Sequence, residues 1–139
     1  MKTVLCDINV FLDICLKREP DYQASAELFS MVEERKIRGL ISAASFPIMF
    51  YLLCKSLSEK KALRVLEKIR TVFRVAPVND RVIDLAMVSE LRDFEDAVQY
   101  YSAVLAKADC IITRNKRDFR KSSIPVLLPE EFLVQENNM

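Results

Sequence analysis

The 139-residue sequence contains no histidine. That absence excludes Ser-His-Asp and Cys-His catalysis, a histidine general base and His-ligated zinc together. With a single glycine, Gly39, the chain can build neither a GxGxxG dinucleotide fingerprint nor a phosphate-binding P-loop. Its four cysteines, Cys6, Cys15, Cys54 and Cys110, form no CxxC pair and sit mostly inside apolar runs, the pattern of buried free thiols in a reducing compartment. Net charge is +1, too little for a protein that coats nucleic acid by bulk charge, so any such contact must be a local patch. The chain does not open on a basic segment followed by an apolar one, and no apolar run approaches the ~18 residues of a membrane span. A cytoplasmic protein without membrane association is expected.

What is present suffices for a folded core. Hydrophobic residues make up 51% of the sequence, and a chain of this length buries roughly two-thirds of its unfolded surface as one domain, here residues 1–139. Val4, Leu5 and Cys6 read as a short buried strand. From Glu19 and Pro20 the pattern turns helical, with Ala24, Leu28, Met31 and Val32 on one face, ending at Lys36 to Gly39. Leu40 and Ile41 form a second short strand, followed by a helix from Ser45 or Pro47 to Lys55. Ser58 caps another, with Ala62, Val65, Leu66 and Ile69 inward. After the β-rich stretch from Thr71 to Ala76, Pro77 to Asp80 is turn and cap chemistry for a helix burying Val82, Ile83, Ala86 and Met87. The next helix starts at Asp93, then Cys110 to Ile112 and Ile124 to Leu127 are strands, and a terminal helix begins at Pro129. Strands separated by helices require crossover connections, hence a mostly parallel sheet with helices on both faces and sites at the carboxyl ends of its strands.

Acidic residues fall where such sites form. The first strand runs straight into Asp7, and a buried carboxylate is costly unless paired, hydrogen-bonded or coordinated. Asp7 therefore either caps a helix that begins at once or belongs to a site. In the run DFED, residues 93 to 96, Asp93 can N-cap the late helix while Glu95 and Asp96 favour its positive end. Asp118 lies in the loop TRNKRDF, residues 113 to 119, among Arg114, Lys116, Arg117, Arg120 and Lys121, a patch able to bind phosphates. Phe119 reads as a core residue rather than a base platform, and Tyr100, Tyr101, Phe50 and Tyr51 as core or dimer surface. A phosphotransferase with a strand-end aspartate nucleophile would want DxD, but position 9 is Asn9.

Taken together, DINVFLD near the start, LRDFEDAVQYYSA late and ADCIITRNKRDF near the end resemble, in order and spacing, the PIN domain family, the ribonuclease fold that includes toxins of the VapC type. The resemblance implies a three-layer α/β/α sandwich with a mostly parallel, Rossmann-like sheet and a carboxylate cluster at its carboxyl end. It also implies Mg²⁺ or Mn²⁺ as cofactor, RNA as substrate, and an antitoxin protein and a second copy of the chain as partners. By that correspondence Asp7 is the first metal-site aspartate, supported by Asn9, and Asp96, after Asp93, is the acid of the late helix. Thr113 shapes the pocket. The acid often found two residues later is Asn115 here, which leaves Asp118 as its substitute. Ile48 stands where the family generally has a glutamate, and no other acid lies between Gly39 and Glu59. Asp7 and Asp96 are then expected to hold one ion and Asp118 to position the attacking water, with the basic patch on the RNA. A metal-dependent ribonuclease is the first expectation; the missing glutamate is the best support for the alternative, a catalytically impaired RNA-binding or protein-interaction module.

Overall fold

The computed structural model describes residues 1–91 and 93–138. Strand β1 (Thr3–Cys6) is buried at every position, as a strand covered on both faces must be. It is central in a five-stranded sheet of order β3–β2–β1–β4–β5, with β2 Arg38–Ser42, β3 Arg74–Ala76, β4 Cys110–Ile112 and β5 Val126–Leu127. Every strand pair is parallel, and Leu5 stands opposite Leu40 on one side and Ile111 on the other.

The alternation of side chains along these strands divides the core between two layers of helices. Val4, Cys6, Ile41, Cys110 and Ile112 face α1 (Ile8–Cys15), α2 (Tyr22–Glu33), α3 (Ser45–Leu53), α4 (Glu59–Val72) and α7 (Pro129–Asn137). Leu5, Leu40, Ala76 and Ile111 face α6 (Phe94–Leu105), with Tyr100, Ala103 and Phe119 filling that side. Helix α5 (Asp80–Met87) packs on α6 through Val82, Ala86, Ala97 and Val98. This is the expected three-layer α/β/α sandwich. The expected caps also form: Ser58 Oγ accepts from Lys61 N–H, Asn79 Oδ1 from Val82 N–H, and Asp93 Oδ1 from Asp96 N–H. All four cysteines are free.

Three local expectations are corrected. Helix α1 was not foreseen, because INVFLDIC is apolar nearly all round and shows no helical stripe beside the strand before it. Helix α2 stops at Glu33 rather than running to Lys36; Arg35, at φ 61°, turns the chain in the left-handed region and β2 begins by Arg38. Met87, expected inward, is 68% exposed. Val82 and Ala86 set the buried stripe of α5, and Met87 lies one residue, about 100°, beyond it.

Gly39 sits in β2 opposite Val4 because nothing larger fits. A Cβ there would lie 2.5 Å from the Phe73 ring and 2.9 Å from Val32 Cγ1. Both neighbours are buried, so neither can retreat into solvent. Gly39→Ala is expected to destabilise the protein by about 1–3 kcal/mol through overpacking, read as a lower urea midpoint at an unchanged slope.

Candidate active site

Strand order reverses at β1, whose neighbours are β2 on one side and β4 on the other, and the crevice outside the carboxyl ends at such a reversal is where parallel α/β sheets bind ligands. Asp7 and Thr113 are the first residues past β1 and β4. Asp7 N–H donates to Ile112 C=O at 2.9 Å, which extends the ladder and fixes the Asp7 backbone. Helix α1 then begins at once, with Asp7 as its cap: Oδ1 accepts from Ile8 N–H at 2.8 Å. Oδ2 accepts the Thr113 hydroxyl at 3.0 Å, and Thr113 Oγ1 accepts Asn115 N–H at 3.1 Å. Asp7 thus caps a helix at the carboxyl edge of the sheet, but it does not line the cleft formed there by Asp93, Asp96 and Asp118. It is 5% exposed, and burial raises its pKa above the usual carboxylate value; Gln99, Thr113 and Ile8 oppose that shift while Asp118 adds to it.

Asp93, Asp96 and Asp118 line one cleft of about 460 Å³ with Asn115, Arg117 and Arg120. Asp118 is brought there by a single 3₁₀ turn, Lys116–Phe119, anchored by the buried Phe119 ring. Burial, then the charges of Asp118, Asp93, Asp7 and Glu95, push the half-buried Asp96 up to about 7. Burial, Asp93 and Asp7 also raise Glu95. Acids from the end of β1, the start of α6 and the 3₁₀ turn therefore feel one another's charge. Among the described residues no three His, Cys, Asp or Glu side chains stand close enough to share a metal ion. The oxygen-only donors suit a hard cation held by one or two carboxylates, with water completing its shell.

Other expected positions lie nearby or elsewhere. Asn9 lines an adjoining cleft with Asp21, Arg114 and Asn115. Ile48 is half-buried against the core between the sheet and α1–α4. A cleft lined by Arg35, Arg38, Arg70 and Arg74 lies by the amino ends of β2 and β3 and contains none of the site's carboxylates.

A family model described as "PIN domain" matches residues 3–117. The chain belongs to the PIN domain family. Solved structures share the fold at low identity. VapBC2 from Rickettsia felis, bound to a DNA fragment from its promoter, is 16% identical over 90% of this chain and 96% of that one, with a TM-score of 0.67. A toxin-antitoxin complex from Klebsiella pneumoniae is 20% identical, over 91% and 97% of the two chains, with a TM-score of 0.68. VapC20 from Mycobacterium tuberculosis, a sarcin-ricin loop cleaving toxin, is 13% identical over 87% and 95%, with a TM-score of 0.69. Comparison with curated proteins gives no match.

In this PIN domain the basic residues of the loop have different employments. Arg114 turns inward: its Nε lies 3.1 Å from Asp13 Oδ2 and its Nη1 3.3 Å from Asp21 Oδ2. Asp13 is fully buried, and its other oxygen takes Arg18 Nε at 3.2 Å. Lys116 pairs with Glu131 and Lys121 with Glu90 at the surface. Arg117 and Arg120 line the cleft and make no ion pair among the described residues. Sequence reasoning gave no site role to Asp13 or Gln99 and read Glu95 only as a favourable charge at the start of α6. Gln99 had one visible signal, a polar residue one turn after Asp96 in an otherwise apolar stretch, and Asp13 had none, because its arginine partners lie far along the chain or in a loop.

Proposed function

We propose that this PIN domain is a metal-dependent endoribonuclease and the toxin of a toxin–antitoxin pair. The observation that carries the reading is the gathering of Asp93, Asp96 and Asp118 in one cleft at the carboxyl edge of the sheet, where burial and the charges of Asp118, Asp93, Asp7 and Glu95 raise Asp96. Carboxylates that are partly desolvated and feel one another's charge gain most from a cation. Asp7 and Asp96 would hold Mg²⁺ or Mn²⁺, which when bound supplies charge to the scissile phosphate and acidifies a water. The chain's own residues do the rest. Ile8 N–H and the Thr113 hydroxyl orient Asp7, Asp118 positions the attacking water, and Arg117 and Arg120 receive phosphates beside the cleaved bond. Antitoxin control, a homodimer and a cytoplasmic site of action belong to the same reading. It is supported by the fold shared with VapBC2, the Klebsiella complex and VapC20, and among the described residues no helix is long and apolar enough to cross a membrane.

Incubation of mixed single-stranded RNA with the protein tests it. Cleavage is expected with Mg²⁺ or Mn²⁺, is lost in EDTA, and falls at least a hundredfold in Asp7→Asn and Asp96→Asn. The second reading, an RNA-binding module without efficient catalysis, draws on Ile48 in place of a carboxylate. RNA retained on the protein but uncut at every metal concentration selects it.

The two free arginines give a separate expectation. Arg117→Ala and Arg120→Ala should each weaken RNA binding whatever its sequence and flatten the dependence of log K on log salt by about 0.7. Arg114→Ala should instead lower thermal stability, since its partners are Asp13 and Asp21. Filter binding across a salt series separates the two classes.

A further inference from the structure

The residue of the site that its acids do not explain is Gln99. It lies on α6 one turn after Asp96, so both project from the same side of the helix. Its side chain is 1% exposed, and neither its amide nitrogen nor its carbonyl oxygen has a hydrogen-bond partner among the described residues. An amide has two donors and an acceptor, and leaving them unmet in the interior is costly where an apolar side chain of similar volume would fit. Such groups persist where something else completes them. The Gln99 amide reaches the Asp7 carboxylate from α6, though the contact is not aligned as a hydrogen bond. One lone pair on each Asp7 oxygen is already used, on Ile8 N–H and on the Thr113 hydroxyl, which leaves one on each. One suits an amide donor and the other a cation.

We infer that Gln99 is a positioning residue of the cation site: its amide locks the Asp7 carboxylate in place, and its hydrogen bonding is completed only when a hydrated divalent cation is bound beside it. This rests on the metal-dependent reading above. A group of this kind behind a ligand typically changes metal affinity 10–100-fold when removed. A merely structural glutamine would alter stability instead.

The experiment titrates the full chain with Mn²⁺, followed by electron paramagnetic resonance, for wild type, Gln99→Met and Gln99→Asn. Thermal unfolding of each is recorded without metal. Gln99→Met is expected to be at least as stable as wild type in metal-free buffer, because it removes an unmet buried amide, yet to bind Mn²⁺ roughly 10–100-fold more weakly. Gln99→Asn, which keeps the amide on a shorter stem, should bind with intermediate affinity. If wild type binds and Gln99→Met binds within twofold of it, the role of Gln99 is overturned while the ribonuclease reading stands. If Gln99→Met fails to fold, the Gln99→Asn affinity decides, and a value within twofold of wild type overturns the inference. Wild type that binds no Mn²⁺ at millimolar concentration overturns both.

Discussion

Replacing Asp13 with alanine is expected to cost about 2–3 kcal/mol, less than the loss of one partner from a fully buried pair because both arginines stay partly in water. Asp13 is fully buried in α1, with Arg18 on one carboxylate oxygen and Arg114 on the other, and Asp21 on the far side of Arg114. Deleting the central anion leaves two guanidinium groups without their counter-ion, although each sits on a side chain about a third or more exposed, so water takes part of its place. Against a total stability of about 5–15 kcal/mol that is a large fraction, read as a markedly lower unfolding temperature. The cluster is not strongly favourable in itself, however. Burial raises the Asp13 pKa despite both arginines, and neither carboxylate oxygen is in good hydrogen-bond geometry. Its removal as a unit should therefore be far milder: Asp13→Leu combined with Arg114→Met is expected to recover most of the loss, a coupling that urea titration of the two single variants and the pair measures directly. Activity responds by a second route. Arg114 follows Thr113, whose hydroxyl holds Asp7, so freeing Arg114 loosens the segment that also carries Asp118.

Asp13 also marks where sequence reading stops. The strands, most of the helices and the three caps follow from local pattern, since apolar runs, turn residues and side-chain oxygens before helices act within a few residues. That the strands run parallel follows from crossover connections, and Asp7 and Thr113 lie at the carboxyl edge because each directly follows a strand, whereas the strand order was not legible. Helix α1 was illegible because a helix buried nearly all round loses the polar stripe that identifies it. Gln99 was legible only as a polar residue one turn after Asp96, and Asp13 not at all, because a polar residue's burial depends on partners brought up by the fold, 106 residues apart in the case of Asp7 and Thr113. The same holds for the basic loop, which the sequence presents as one patch. Only the fold divides it into Arg114 turned inward, Lys116 and Lys121 paired at the surface, and Arg117 and Arg120 left to the cleft.

The second large effect joins pH, metal and stability at the carboxylates. Without metal, the folded protein binds the Asp96 proton more tightly than the unfolded chain does, since its pKa is raised to about 7 by burial and by Asp118, Asp93, Asp7 and Glu95. Where the folded state holds the extra proton, stability falls as pH rises. The window runs from the ordinary carboxylate range up through about 7, and the raised Asp7 and Glu95 act with the same sign. Metal-free protein should thus unfold at a lower temperature at pH 8 than at pH 5.5. A cation that takes the proton's place reverses this. Mg²⁺ at 100 times its dissociation constant contributes about 2.7 kcal/mol, roughly 10 °C in Tm for a chain of this length. That gain should be present at pH 8 and shrink at pH 5.5, where protons compete for the same oxygens. Asp96→Asn should flatten the metal-free pH dependence and, under the proposed reading, remove most of the Mg²⁺ gain, because one substitution would delete both the raised acid and a ligand. Thermal scans in Mg²⁺ and in EDTA at the two pH values, for wild type and Asp96→Asn, give all the terms. A wild-type Tm that is level across this window, or a Mg²⁺ gain as large at pH 5.5 as at pH 8, would show that these acids do not act as one cation-seeking group.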